Sequence, residues 1–132
     1  MNEPRVVIRL DADCEYQPGN TLSGEYVLKS ILPDRIKAVE VSLLWYTEGK
    51  GDEDMAVHEF RRSSTEEGDW FAPNRPQPFS VTLPNSPLSY DGLIVKIRWC
   101  VRVRAFLGRG KKVLGEMPFQ LGSIPAARAV TS

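Results

Sequence analysis

The segment covering residues 78–106 holds the feature that most constrains this chain, a long run in which apolar and basic residues alternate. Every second position is apolar, at Leu93, Val95, Ile97, Trp99, Val101, Val103 and Ala105. The positions between them hold Lys96, Arg98, Cys100, Arg102 and Arg104. A period of two places one set on each face of a strand, whereas a helix would scatter the basic residues around its circumference. The run therefore predicts a long antiparallel strand with its apolar set in the core and its basic set in solvent.

The predicted strand is longer than most strands. From Leu93 to Leu107 it would extend about 50 Å at ~3.3 Å per residue, so we expect a β-bulge or a switch between sheets within it. Trp99 belongs to the inward set, and we expect it to be a core residue that is costly to remove.

Similar alternation predicts strands along the rest of the chain. These strands cover residues 5–10, 21–30, 36–46, 55–61, 79–83 and 113–121. Pro18 and Gly19 predict a type II turn, because proline fixes φ at the first central position and glycine accepts a positive φ at the second. Residues 47–54, TEGKGDED, are polar and predict a loop. About seven or eight strands without a convincing amphipathic helix predict an all-β, immunoglobulin-like antiparallel β-sandwich, with a closed barrel as the alternative.

Length and charge restrict the domain organisation and the partners. The 132 residues fit one domain, predicted over residues 1–122, followed by a frayed tail over residues 123–132. Seventeen basic and seventeen acidic side chains cancel, which disfavours nucleic acid as a partner. The apolar runs are far shorter than the ~20 residues that cross a bilayer, and the charged N-terminus does not resemble a secretion signal. We therefore expect a cytoplasmic protein without a transmembrane segment.

The two cysteines, Cys14 and Cys100, are expected to be reduced, because no export signal accompanies them. Cys100 alternates with Trp99, which predicts a solvent-facing thiol on the outer face. Its position between Arg98 and Arg102 would lower the pKa of such a thiol, but an ordinary surface cysteine is the simpler interpretation.

Three segments of the chain follow one another in the order and spacing of a known family. They are YQPGNTLSGEYVL at residues 16–28, IKAVEVSLLW at residues 36–45 and PFSVTLPNSPLSYDGLIVKIRWCVRVRA at residues 78–105. Together they resemble the arrestin-like domain, the sandwich shared by arrestins, a retromer subunit and bacterial sporulation-control proteins. The resemblance implies a β-sandwich used for protein contact. Known arrestins carry two such sandwiches, whereas this chain has length for one.

Few residues suggest catalysis or metal binding. His58 is the only histidine, which excludes a two-histidine metal site, and no nucleophile motif accompanies it. Four carboxylates in the polar segment before His58 resemble a hard-cation loop but lack the register of an EF-hand: Glu48, Asp52, Glu53 and Asp54. We expect no enzyme activity, no metal and no cofactor, and an enzyme centred on His58 is the least supported hypothesis.

The leading hypothesis is a non-enzymatic interaction or scaffold module that binds a protein or an extended peptide through a sheet edge or its loops. An open edge offers unpaired N–H and C=O groups and could also support a homodimer. Trp45 and Tyr46 flank the polar loop of residues 47–54 and are candidate recognition residues.

The alternative hypothesis is an anion or membrane-surface binder. It rests on an outward basic stripe formed by Lys96, Arg98, Arg102 and Arg104. Such a stripe could bind phosphates, an acidic peptide or anionic lipid. The simpler interpretation is a solvated sheet face whose charges pair across strands with residues such as Glu116.

Overall fold

Nine strands run through the described part of the chain, which in this computed structural model comprises residues 3–12, 15–49 and 53–122. Three short 3₁₀ turns interrupt them, at Pro33–Arg35, Thr65–Glu67 and Gly108–Gly110. The strands are β1 (Arg5–Leu10), β2 (Glu15–Tyr16), β3 (Thr21–Lys29), β4 (Ile36–Gly49), β5 (Met55–Ser64), β6 (Gln77–Thr82), β7 (Tyr90–Asp91), β8 (Val95–Leu107) and β9 (Lys112–Leu121).

The strands form two sheets that pack face to face. The smaller sheet has the order β1-β3-β6, and the larger has the order β2-β9-β8-β4-β5, with β7 beside the first part of β8. Every pair is antiparallel except β2 with β9. The predicted antiparallel β-sandwich is confirmed. The two additional strands, β2 and β7, contain only two residues each and are too short to produce a periodic pattern.

The core lies between the sheets and follows the predicted alternation. β3 turns Leu22, Tyr26 and Leu28 inward, and β8 turns Trp99 inward with only 1% of its surface exposed. The indole N–H of Trp99 donates to the carbonyl of Pro87 at 2.8 Å, which satisfies the one polar group of this side chain. Trp99 is therefore a core residue, as the sequence predicts.

Glycine permits the close approach of the two sheets on one side of the sandwich. A Cβ added at Gly115 of β9 would lie 2.9 Å from both the Cβ and the carbonyl oxygen of Val6 in β1. Only a residue without a side chain allows β1 to pass β9 at this distance.

Two predictions about the long strands are wrong. β4 continues to Gly49, so Thr47 and Glu48 lie in the ladder with β8 rather than in a loop. β8 shows neither a bulge nor a switch between sheets, since it pairs with β4 along its whole length. The register shifts occur instead in β4, between Ile36 and Ala38, and in the pairing of β4 with β5.

The start of β8 also differs from the prediction. The N–H of Gly92 donates to the carbonyl of Val95 at 3.1 Å and closes a tight turn between β7 and β8. Leu93 and Ile94 occupy this turn, so Leu93, predicted in the core, is fully exposed. The apolar pattern continues through the turn, but the chain reverses there.

We expect Trp99→Ala to lower the free energy of unfolding by about 3 to 5 kcal/mol, because it removes a fully buried aromatic side chain. Chemical denaturation of the purified protein measures this change. Trp70→Ala is the matched control, since Trp70 is 79% exposed and its removal should leave stability nearly unchanged. Equal effects of the two substitutions would contradict the central position of Trp99.

Candidate functional site

The outer face of the larger sheet, which points away from β1, β3 and β6, has an apolar centre. Alternation turns Val39, Leu43 and Trp99 to the core and leaves the residues between them on the outer face. Two of these outward residues, Leu44 and Cys100, are paired in register and are only 1% and 2% exposed, although neither belongs to the core cluster. This face is therefore not a uniformly solvated surface.

Cys100 corrects an expectation from the sequence. It lies on the outer face as predicted, but its thiol is buried rather than exposed to solvent. Burial, and secondarily the carboxylate of Glu116, raise the pKa of this thiol to about 11, against the lowering effect of Arg102. The thiol is therefore protonated at neutral pH and is a weak nucleophile. Cys14 lies outside the described residues.

The four basic residues of the predicted stripe lie on this outer face, where buried Cys100 divides them into two pairs. Three of the four have carboxylate partners: Lys96 with Asp91 at 3.3 Å, Arg98 with Glu48 at 3.4 Å and Arg102 with Glu116 at 3.1 Å. The fourth, Arg104, faces Glu40 across the ladder. The stripe therefore consists largely of cross-strand charge pairs, including the expected pair with Glu116.

Trp45 and Tyr46 do not form one surface, because consecutive residues of β4 point to opposite faces. Trp45 packs against the core and faces Trp99 in the ladder. Tyr46 lies on the outer face opposite Arg98, and partial burial, followed by the charge of Glu48, raises its pKa. Residues 50–52 of the predicted loop lie outside the described ranges.

β5 forms the edge of the larger sheet and carries exposed apolar side chains. Within the described residues it pairs only with β4, so its second edge is free. The exposed side chains on the outer face of this strand are Met55 at 58%, Val57 at 50% and Phe60 at 52%. We refer to this strand edge and these three side chains as the β5 edge site.

A β-bulge places the three side chains on one face. The pairing of β4 with β5 shifts between Leu43 and Leu44, which leaves His58 as an extra residue in β5. Phe60, three positions after Val57, therefore returns to the outer face. The bulge also increases the local twist of the edge.

Backbone groups of the β5 edge site point away from β4. The N–H of Thr47 donates to the carbonyl of Asp54 at 2.9 Å, which makes these two residues a hydrogen-bonded pair. Such pairs alternate with non-hydrogen-bonded pairs in an antiparallel ladder. Ala56 therefore bonds to β4, whereas Met55 and Val57 direct their N–H and C=O groups to the free edge.

The sequence contained a signal for this site. The alternation over residues 55–61 predicted a strand, which is confirmed, but not the face that its apolar residues occupy. Met55, Val57 and Phe60 are separated by two and then three positions. In a strand, this spacing indicates a bulge between two halves that share one apolar face.

The opposite side of β5 faces a narrow apolar cleft between the two sheets. Its walls include Val41, Leu43, Phe79, Val81 and Val101. The guanidinium of Arg61 crosses the mouth of the cleft and donates to the carbonyl of Ser80 in β6 at 2.9 Å. This side chain therefore occupies part of the free edge of the smaller sheet.

The residues considered for catalysis or metal binding are dispersed. The ring of His58 contacts Trp99 edge to face, with centroids 6.3 Å apart, and Asp52 lies outside the described residues. Across residues 3–12, 15–49 and 53–122, no group of three or more His, Cys, Asp or Glu side chains could hold a metal ion. In the same ranges, no helix is long and apolar enough to cross a membrane.

The two sheets, with their strand order and the turn at Pro18 and Gly19, have the fold of an arrestin-like β-sandwich, as the three sequence segments predicted. The same fold occurs in the crystal structure of Spo0M, a sporulation control protein from Bacillus subtilis, with a TM-score of 0.64 and 17% sequence identity. The match covers 92% of this chain and 50% of that chain, so this chain spans about half the length of Spo0M. No family model and no curated protein matches the sequence.

The environment of Cys100 predicts slow reaction of its thiol. A pKa of about 11, instead of the ordinary 9.0, lowers the thiolate fraction about 100-fold at neutral pH. We expect iodoacetamide to label Cys100 at least about 100-fold more slowly in the folded than in the unfolded protein, measured in a Cys14→Ser background. Equal labelling rates in the two states would contradict the buried position.

The same pKa also makes stability depend on alkaline pH. The unfolded thiol loses its proton first, so the contribution of the buried thiol is fully present below about pH 9 and is lost as the pH rises toward 11. Chemical denaturation between pH 9 and pH 11 should show the free energy of unfolding of the wild type falling with pH, and that of Cys100→Ala falling less.

Proposed function

We propose that this chain is a non-enzymatic interaction module that binds an extended protein segment by strand addition at the β5 edge site. The observation that carries the proposal is a free strand edge on which outward backbone groups adjoin exposed apolar side chains. Strand addition derives affinity from backbone hydrogen bonds and specificity from alternate side chains. β5 offers both.

The side chains around β5 define what such a segment would contact. Met55, Val57 and Phe60 form an apolar strip, and half-buried Tyr46 lies beside Met55 on the neighbouring strand. Every second residue of an added strand would lie on this face, so apolar residues at alternate positions would be preferred. Exposed apolar groups gathered in this way are typical of contact surfaces.

The fold supports the same class of function. An arrestin-like sandwich is compatible with a regulatory or scaffold role, and Spo0M is described as a sporulation control protein. The proposed partner is a protein rather than a small molecule. Two expectations from the sequence stay predictions. They are the cytoplasmic location and the division into a domain over residues 1–122 and a tail over residues 123–132.

The anion-binding alternative has less support from the outer face. Three of the four basic side chains of the stripe already have carboxylates within 3.4 Å, so the local charge is largely balanced. Balanced charge gives little attraction for phosphate or anionic lipid. An enzymatic role for His58 gains no support from its position in an exposed bulge against Trp99.

Selection of linear peptides from a random display library against the folded protein tests the proposal. We expect selected peptides to bind the wild type and to lose at least about tenfold in affinity for Val57→Pro and for Phe60→Ser. Proline at position 57 removes an N–H that faces the free edge, so the ladder with β4 is retained. Phe60→Ser removes an apolar contact from the strip.

Leu114→Ser is the matched control. Leu114 lies in β9 at 51% exposure, close to the 52% of Phe60, but it is separated from β5 by two strands. It should leave peptide affinity unchanged. Peptides that bind Val57→Pro and Phe60→Ser as tightly as the wild type would show that β5 is not the binding edge.

A further inference from the structure

We propose that the partner at the β5 edge site is a second copy of this chain, joined by antiparallel pairing of β5 with β5 about a twofold axis. This inference rests on the proposed function and names the occupant of the same site. Twofold pairing would join two larger sheets into one continuous sheet across the dimer.

Charge distribution along β5 favours this occupant. The strand is preceded by two acidic residues, Glu53 and Asp54, and its second half carries two basic residues, Arg61 and Arg62, beside one acidic residue, Glu59. Antiparallel pairing places the acidic end of one copy beside the basic end of the other, and does so twice. Parallel pairing would bring like charges together, which opposes it.

The basic side chains remain available for such contacts. Arg62 donates one bond to Glu40 at 2.7 Å, yet its side chain is 46% exposed, and a guanidinium has five N–H donors. Arg61 donates to the carbonyl of Ser80 at 2.9 Å and lies 3.7 Å from Glu59, and its side chain is 56% exposed. Each guanidinium therefore keeps N–H donors that can meet a carboxylate of the other copy.

The bulge gives the pairing a definite register. With the twofold axis between His58 and Glu59, Val57 of each copy lies across from Phe60 of the other. Val57 precedes the bulge and Phe60 follows it, and both side chains lie on the outer face. Two apolar pairs therefore form at the centre of the interface. The two bulges lie side by side at the axis, and a partner strand without a bulge would lose register there.

The geometry also limits assembly to two copies. Each chain contributes one β5, and an isologous contact uses that edge completely. The free edge of β6 is partly occupied by Arg61, and β1 passes close to β9 at Gly115. The expected product is a closed dimer rather than a filament.

Sedimentation velocity on the 132-residue chain, at low salt and from about 1 to 500 μM, tests the inference. We expect the wild type to shift from one to two copies across this range and to go no further. Two charge-reversed variants decide the orientation: Glu53→Lys with Asp54→Lys, and Arg61→Glu with Arg62→Glu. Each variant alone should dimerise at least about tenfold more weakly, and an equimolar mixture of the two should regain a dimer of wild-type affinity.

Lys111→Glu with Lys112→Glu is the matched control, because it reverses two exposed charges at the far hairpin and should not alter dimerisation. Circular dichroism checks folding, and if the Arg61 and Arg62 variant is unfolded, Val57→Pro against Leu114→Ser decides instead. A monomeric wild type, or a dimer insensitive to both β5 changes, would overturn the inference. Peptide binding that is sensitive to Val57→Pro in a monomeric wild type would overturn the dimer and leave the proposed function intact.

Discussion

The arrangement of both sheets depends on the burial of Trp99 at the centre of β8. A tryptophan side chain removes more apolar surface from water than any other residue, but its N–H must find a partner when buried. The carbonyl of Pro87 supplies that partner at 2.8 Å, within the connection that crosses from β6 in one sheet to β7 in the other. Further along this connection, the hydroxyl of Ser89 accepts the N–H of Leu121 at 2.8 Å. The central strand and the crossing segment are thus fixed by the same core.

On the other face of β8, different forces apply. Leu44 and Cys100 lie side by side on the two central strands, and the charged side chains around them form cross-strand pairs. Exposed pairs of this kind contribute little to stability. Their long apolar stems nevertheless cover neighbouring surface, and Arg102 is only 18% exposed on this face. Arg102, which looks like part of a binding stripe in the sequence, therefore serves in part to cover the apolar centre of its own sheet beside Cys100.

Alternation predicted what a local period can determine, the face to which each residue of a regular strand points. The inward sets of β3 and β9, and that of β8 from Trp99 to Ala105, are correct for this reason, whereas Val95 at the start of β8 is 37% exposed. Three residues show where the period is insufficient. Leu93 continues the pattern into a turn that a hydrogen bond between backbone groups closes. Cys100 has the right face, but it is buried beside Leu44, which is distant in sequence and adjacent in the ladder. Phe60 follows a bulge, which reverses the relation between position and face.

The larger sheet extends beyond the smaller one, and this asymmetry leaves β5 without a core of its own. On the side that faces the cleft between the sheets, β5 carries Arg61, whose guanidinium donates to the carbonyl of Ser80. A polar contact therefore stands where a core strand would have apolar packing. The three apolar side chains of the strand lie on the opposite face and stay half exposed: Met55, Val57 and Phe60. Hydrophobic stabilisation requires removal of apolar surface from water, so these side chains contribute little to folding of the single chain and much to any contact that covers them. A free edge with exposed apolar side chains favours pairing with another strand. The bulge at His58 adds local twist, and a strand that contains the same bulge matches this twist best.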